Sequence, residues 1–170
     1  MRIAPATLEQ APGIAAAHIL SWQAAYPEIL DSAYLQALSI ESRTERWRDI
    51  LKKADSMTLV ASDGDDVLGF ISFGPCRDEG APADLGEIWA LYARPDRWGQ
   101  GVGRALLQNA VDQLRAGGHS AVSLWVLNLN QRGRRFYEAC GFKPDPASAT
   151  HFELGGRQVE EIRLLLAHGA

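Results

Sequence analysis

The sequence predicts a single domain of the α/β or α+β class, with helices packed on a mixed sheet. Three observations carry that expectation. The chain has 170 residues, 46% of them hydrophobic and 22% charged, which suits one domain with a substantial core. Runs of strand character are interspersed with stretches of helical period. No internal repeat, low-complexity tract or long linker separates them, so residues 1–170 are read as one domain.

Residues 2–6 read as a short first strand. Thr7-Leu8-Glu9-Gln10 fits a capping box and opens a helix to about residue 25, with Pro12 and Gly13 in its first turn. Pro27 stops it. Asp31 is placed to cap a second helix through residue 38. Ser42-Arg43-Thr44-Glu45 is another capping box, opening a helix to about residue 53. The period then changes. Residues 57–61 and 67–73 are two strand-like runs, with the hairpin signal Asp63-Gly64 between them. Residues 76–84 read as a loop, and 85–93 as a third strand, apolar apart from Glu87 and ended by Pro95. Val102, Leu106, Leu107, Ala110, Val111 and Leu114 recur at helical spacing up to Gly117-Gly118. A buried strand over 121–127, a short helix over 132–139 ending at Gly141, and a hairpin of 150–154 with 158–166 around Gly155-Gly156 complete the chain.

Composition removes several classes. A net charge of −4 argues against nucleic acid as a partner. No apolar run approaches membrane-spanning length, and the start Met1-Arg2-Ile3-Ala4-Pro5 lacks the apolar core of a secretory signal. Cys76 and Cys140 make no disulfide framework or zinc spacing, and His18, His119, His151 and His168 show neither metal nor triad spacing. The expectation is a cytoplasmic protein with reduced thiols and no metal.

The most informative stretch is Arg97-Trp98-Gly99-Gln100-Gly101-Val102-Gly103-Arg104, between a buried strand and a helix. Glycines let the backbone turn through positive φ and approach a ligand closely. The first amides of a helix lack internal acceptors and lie at the positive end of its dipole, so such a turn suits phosphate oxygens. A P-loop is excluded by the missing Gly-Lys-Ser/Thr. A Rossmann fingerprint fits poorly, because Leu106 stands where the third glycine belongs and the strand arrives halfway along the chain. A pyrophosphate site of the acetyl-CoA type and a turn without a ligand remain.

Pro95-Asp96-Arg97-Trp98-Gly99-Gln100-Gly101-Val102-Gly103-Arg104-Ala105-Leu106-Leu107 resembles motif A of the Gcn5-related N-acetyltransferase (GNAT) family, Arg/Gln-x-x-Gly-x-Gly/Ala followed by a helix. Gly101 and Gly103 match; Trp98 stands where Arg or Gln is usual. Asn130-Gln131-Arg132-Gly133-Arg134-Arg135-Phe136-Tyr137-Glu138-Ala139-Cys140-Gly141-Phe142 is similar to motif B, Asn-x-x-Ala-x-x-Phe-Tyr-x-x-x-Gly-Phe, with Gly133 in place of Ala. The resemblance implies a mixed, mostly antiparallel central sheet flanked by helices, with acetyl-CoA in a splay between the two central strands. It implies transfer of an acetyl group from acetyl-CoA to a primary amine of a small molecule or peptide. It implies cofactor contacts from Trp98, Gly99, Gln100, Gly101, Val102, Gly103 and Arg104, from the strand end Leu91, Tyr92 and Ala93, and from Asn130. It leaves room for a homodimer, since exposed late strands in this family often pair.

The chemistry asks for specific groups. Only about one lysine-like amine in 2,500 is neutral at pH 7, so a base matters. Glu87 is the candidate: it is the only charge in an apolar strand, and its offset from the glycine turn resembles that of the catalytic glutamate in the histone-acetylating branch. The alternative is a strand-end carboxylate facing solvent or pairing with an arginine. Tyr137 is the candidate acid for the departing thiolate, and its alternative is core packing with Phe136. Asn130 also reads as a helix N-cap. Arg132, Arg134 and Arg135 read as a solvated face or as partners of the 3′-phosphate of CoA. Trp22, Tyr26, Tyr34 and Trp47 serve packing or an acceptor pocket. Two further readings stay open: a catalytically silent CoA-binding module of the same fold, and a Rossmann-like nucleotide binder.

Overall fold

The computed structural model describes residues 1–53, 57–145 and 147–167. Strands β1 (Arg2–Pro5), β2 (Met57–Asp63), β3 (Asp66–Pro75), β4 (Leu85–Ala93), β5 (Ala121–Leu127), β6 (Lys143–Pro144), β7 (Thr150–Leu154) and β8 (Arg157–Ala167) form one sheet in the order β1-β2-β3-β4-β5-β8-β6, with β7 also on β8. Helices α1 (Ala11–Ala25), α2 (Ser32–Gln36), α3 (Ile40–Leu51), α4 (Val102–Ala116) and α5 (Gln131–Ala139) flank it. Only β4 and β5 pair in parallel among the described strands. The sheet is thus mixed and mostly antiparallel. No helix of the described residues is long and apolar enough to cross a membrane.

The apolar stripe of α4 explains one core. Val102, Leu106, Leu107, Ala110, Val111 and Leu114 are all buried, against Ile71, Phe73, Ile88 and Leu124 of the sheet. Truncating Leu106, fully buried, to Ala is expected to cost about 2–5 kcal/mol. On the opposite face α1 and α3 pack Ile14, Ala15 and Trp47 onto Val60 and Phe70. A third cluster joins Tyr26, Leu30 and Leu35 to Leu127 and Val159.

Local signals were answered unevenly. Gln10 Oε1 accepts from the Thr7 amide at 3.1 Å, but this opens a single 3-10 turn before α1, whose first turn tolerates Pro12 because a proline there gives up no needed N–H. Asp31 was expected to cap α2; its carboxylate instead takes the guanidinium of Arg157 at 2.7 Å, and α2 ends two residues short of residue 38. The capping box at Ser42 is displaced: Ser39 is the cap, accepting from the Ser42 amide at 3.2 Å, so α3 starts at Ile40. Strand β6 carried too little pattern to be expected, having two residues, one of them proline.

Two features open the site. Strands β4 and β5 pair only from Leu85 opposite Ala121 to Ile88 opposite Leu124. At that point Ser72 pairs with Ala90 and Phe73 with Ile88, which leaves Trp89 as an extra residue in β4. Such a bulge bends the strand, so β4 follows β3 while β5 follows β8 as far as Leu127 opposite Glu161. This is the splay that the resemblance implies. The β7–β8 hairpin closes the far side. Gly155 and Gly156 have φ of +56° and +77°, and a Cβ on Gly155 would stand 2.5 Å from the Tyr34 ring, so the turn lies directly on α2.

Candidate active site

A cleft of about 680 Å³ follows the splay from the glycine turn to α1 and the last hairpin. Gly99 and Gly101 have φ of +76° and +86°, and an added Cβ would meet nothing within 4 Å at either; backbone conformation is what demands glycine there. Gly103 differs: it sits in the first turn of α4, where a Cβ would touch the Phe136 ring at 3.5 Å, an ordinary contact. The first helical bond of α4 runs from the Ala105 amide to the Gly101 carbonyl at 2.9 Å. The amides of Val102, Gly103 and Arg104 therefore have no acceptor inside the helix. Arg97, Arg104 and Arg132 line this end of the cleft. Free amides, left-handed glycines and guanidinium groups together fit a pyrophosphate.

Trp98 has a structural duty that the motif does not predict. Its indole donates to the Ala93 carbonyl at 2.8 Å, and the Ser21 hydroxyl donates to the same oxygen at 2.6 Å. The guanidinium of Arg132 lies over the Trp98 ring at 4.3 Å. Arg132 stays exposed at the rim of the cleft, whereas Arg134 is half-buried and donates to Asn128 Oδ1 at 2.7 Å. Gln100 turns its amide to the Asp96 carbonyl at 2.8 Å and is exposed. Leu91, Tyr92 and Ala93 pair with Ile71, Phe70 and Gly69 of β3 along one edge and border the cleft along the other. An extended ligand can add to that open edge as a strand does, up to the Ala93 carbonyl that the chain already occupies.

Tyr137 lines the cleft from α5. Its ring also packs edge-on to Phe136 and Phe142. Burial, aided by Tyr92 and Cys140, pushes its phenol well above the ordinary value, so it stays protonated at neutral pH. Asn130 caps α5 by accepting from the Gly133 amide at 3.0 Å, and also borders the cleft. A Cβ on Gly133 would stand 2.6 Å from Asn130 Nδ2, which accounts for glycine where the motif has alanine.

Glu87 is buried at 2% exposure and reaches the cleft. Both of its oxygens are engaged: Oε2 accepts from the Arg77 amide at 2.8 Å and Oε1 from the Arg77 guanidinium at 2.7 Å. Cys76, Asp78 and Glu87 bring donor atoms within 4.8 Å of one another. Asp78 is held by Arg163 at 3.2 Å and by the Trp125 indole at 3.1 Å, so the chain's own cations and donors stand where an ion would. Beyond Glu87 the cleft is walled by Trp22 of α1, Tyr26 just after it, Trp89, Trp125 and Phe152, with Glu161 of β8 among them. Of the four aromatics singled out near the N-terminus, Trp22 and Tyr26 face the cleft, Trp47 is core and Tyr34 packs on Gly155. Trp125, Phe152 and Glu161 carried no sequence signal, because sheet pairing alone brings them here.

A family profile described as Acetyltransferase (GNAT) family matches residues 19–142. The chain belongs to this family. The GNAT relatives include an uncharacterized N-acetyltransferase of Bacillus subtilis, YuaI, which is 33% identical over 94% of this chain and 88% of its own length. Among solved structures, the PaiA N-acetyltransferase of Thermoplasma acidophilum in complex with coenzyme A superposes with a TM-score of 0.78 at 20% identity, covering 99% of this chain and 100% of that one. A putative acetyltransferase of Salmonella typhimurium, yncA, with its cofactor acetyl-CoA, gives 0.75 at 21% identity over 100% and 96%. The GNAT match covers the splay and the glycine turn and stops before β6, β7 and β8.

Proposed function

We propose that this GNAT protein transfers the acetyl group of acetyl-CoA to a primary amine of a small molecule or peptide. The observation that carries the reading is the splay of β4 from β5 ending at the free amides of Val102, Gly103 and Arg104. It offers a strand edge for an amide-bearing pantetheine arm and a helix start for the pyrophosphate. Trp98, Gly99, Gly101, Val102, Gly103 and Arg104 hold the phosphates, Leu91, Tyr92 and Ala93 flank the arm, and Asn130 borders it. Gln100 contributes through its backbone, since its side chain faces away.

The amine nitrogen must lose a proton before it attacks the thioester carbonyl; the C–N bond forms, the C–S bond breaks, and the sulfur takes up a proton. Tyr137 donates to that sulfur. A phenol with a raised pKa is fully protonated at neutral pH, which suits a donor and rules it out as the base. Glu87 takes the amine's proton, directly or through water. Its carboxylate pairs with Arg77, and the Arg77 side chain, 62% exposed, can swing away when an amine arrives. A screen of amines, antibiotics and peptides for acetyl-CoA-dependent thiol release tests the reading. Binding of acetyl-CoA without release on any amine would support a silent CoA-binding module instead.

A further inference from the structure

The proposed acceptor end of the cleft contains one carboxylate that no described residue pairs with a cation. Glu161 stands on β8 opposite Leu127 of β5 and Thr150 of β7, and its half-buried side chain lines the cleft. Among the described residues its side chain accepts one long hydrogen bond, 3.5 Å from the Thr150 hydroxyl. Among the described residues no cation reaches it. The two carboxylates nearest in effect are both committed: Glu87 to Arg77 at 2.7 Å and Asp78 to Arg163 at 3.2 Å. Burial, with Asp78 and Glu87 adding negative potential, holds the Glu161 carboxyl above the usual range. A partly buried carboxylate of this kind is stabilised by a cation that a ligand brings.

The surroundings narrow that ligand. Trp22, Tyr26, Trp125 and Phe152 present ring surface to the same end of the cleft, which favours an apolar or aromatic body and can face a cation. With Glu87 paired to Arg77 and Asp78 to Arg163, this end offers one carboxylate for one ammonium. Resting on the acetyl-transfer reading, we infer that Glu161 receives the ammonium of the acceptor, and that the acceptor is a monoamine on an apolar or aromatic body rather than a polyamine.

The test uses 2-phenylethylamine and spermidine as probes, with thiol release as one readout and quenching of tryptophan fluorescence as another. The wild type should favour 2-phenylethylamine over spermidine in kcat/KM. Glu161→Gln should raise the KM and the Kd for 2-phenylethylamine by about 10- to 100-fold, the worth of one charged hydrogen bond. Its kcat should stay within a few-fold, its acetyl-CoA Kd should not move, and Glu161→Asp should recover part of the loss. Preference for spermidine, an unchanged KM in Glu161→Gln, or no quenching of the wild type by 2-phenylethylamine would overturn the inference. The quenching titration needs no acetyl-CoA, so a protein that binds the amine through Glu161 but releases no thiol would sink the acetyl-transfer reading and keep the docking site.

Discussion

Gly103→Ala separates ligand binding from folding by sign. In the free protein the new Cβ stands 3.5 and 3.6 Å from the Phe136 ring, which is van der Waals contact and no clash. Gly103 lies inside α4 with no left-handed φ. Alanine there should stabilise the fold by about 0.4–1 kcal/mol, because the unfolded chain loses freedom. At roughly 2–4 °C per kcal/mol for a domain of this size, Tm should rise by about 1–4 °C. The same methyl stands beside the amides of Val102, Gly103 and Arg104, where the phosphates must approach. The acetyl-CoA Kd should rise about tenfold or more, about 1.4 kcal/mol. Gly101→Ala is the contrast: its φ of +86° costs a residue with a side chain about 1–3 kcal/mol, so Tm should drop by several degrees. Scanning and titration calorimetry on the two variants give both numbers. A Gly103→Ala protein that binds acetyl-CoA as the wild type does would remove the helix start from the cofactor site.

Tyr137→Phe should lower turnover by about 10²-fold with little change in acetyl-CoA Kd; wild-type turnover would leave Tyr137 a packing residue. Glu87→Gln should lose more turnover at pH 7 than at pH 9, since high pH supplies neutral amine unaided, and circular dichroism must accompany it because Arg77 loses its partner; identical rate–pH profiles would assign the proton to another acceptor. Burial, with Arg43 and Arg46 adding to it, draws the His18 pKa down to about 3, so between about pH 6.5 and 3 the unfolded chain binds a proton that the folded chain refuses. Stability should therefore fall as pH is lowered through that window, by up to about 1.4 kcal/mol per unit, and His18→Gln should flatten the plot of Tm against pH.

Periodic and local features were legible in the sequence. The stripe from Val102 to Leu114, the Asp63-Gly64 hairpin and the glycine turn each depend on residues within a few positions of one another. Caps were read less well, because a carboxylate takes the strongest partner the fold offers. Asp31 stands at the N-cap of α2 but turns its carboxylate to Arg157, a residue 126 positions away. Glu87 was correctly placed in a buried strand, yet its engagement with Arg77 followed from the turn of loop 76–84 and not from any spacing rule. The splay was implied by the resemblance alone, since it depends on the extra residue Trp89 and on which neighbour each strand follows. Glu161 was invisible for the same reason: β8 reads as an ordinary final strand until its register against β5 is known.

That division has a functional cause. The proposed cofactor end is made from one continuous stretch, β4 through α5, in which the chain turns back on itself and sequence neighbours remain spatial neighbours. A motif can describe such a site, and the GNAT match of residues 19–142 contains all of it. The proposed acceptor end is assembled from α1, the bulge of β4, the end of β5 and the last hairpin, which meet through sheet register, the cluster of Tyr26 and Leu30 with Leu127 and Val159, the Asp31–Arg157 pair and the packing of Gly155 on Tyr34. Phe152 and Glu161 lie beyond residue 142, outside that match. A shift of β8 by one residue would turn Glu161 to the other face of the sheet and leave the cofactor end unchanged. On the proposed sites, acceptor choice can thus change through the hairpin without disturbing the glycine turn, and swapping residues 150–167 between relatives should transfer amine preference while acetyl-CoA affinity stays fixed.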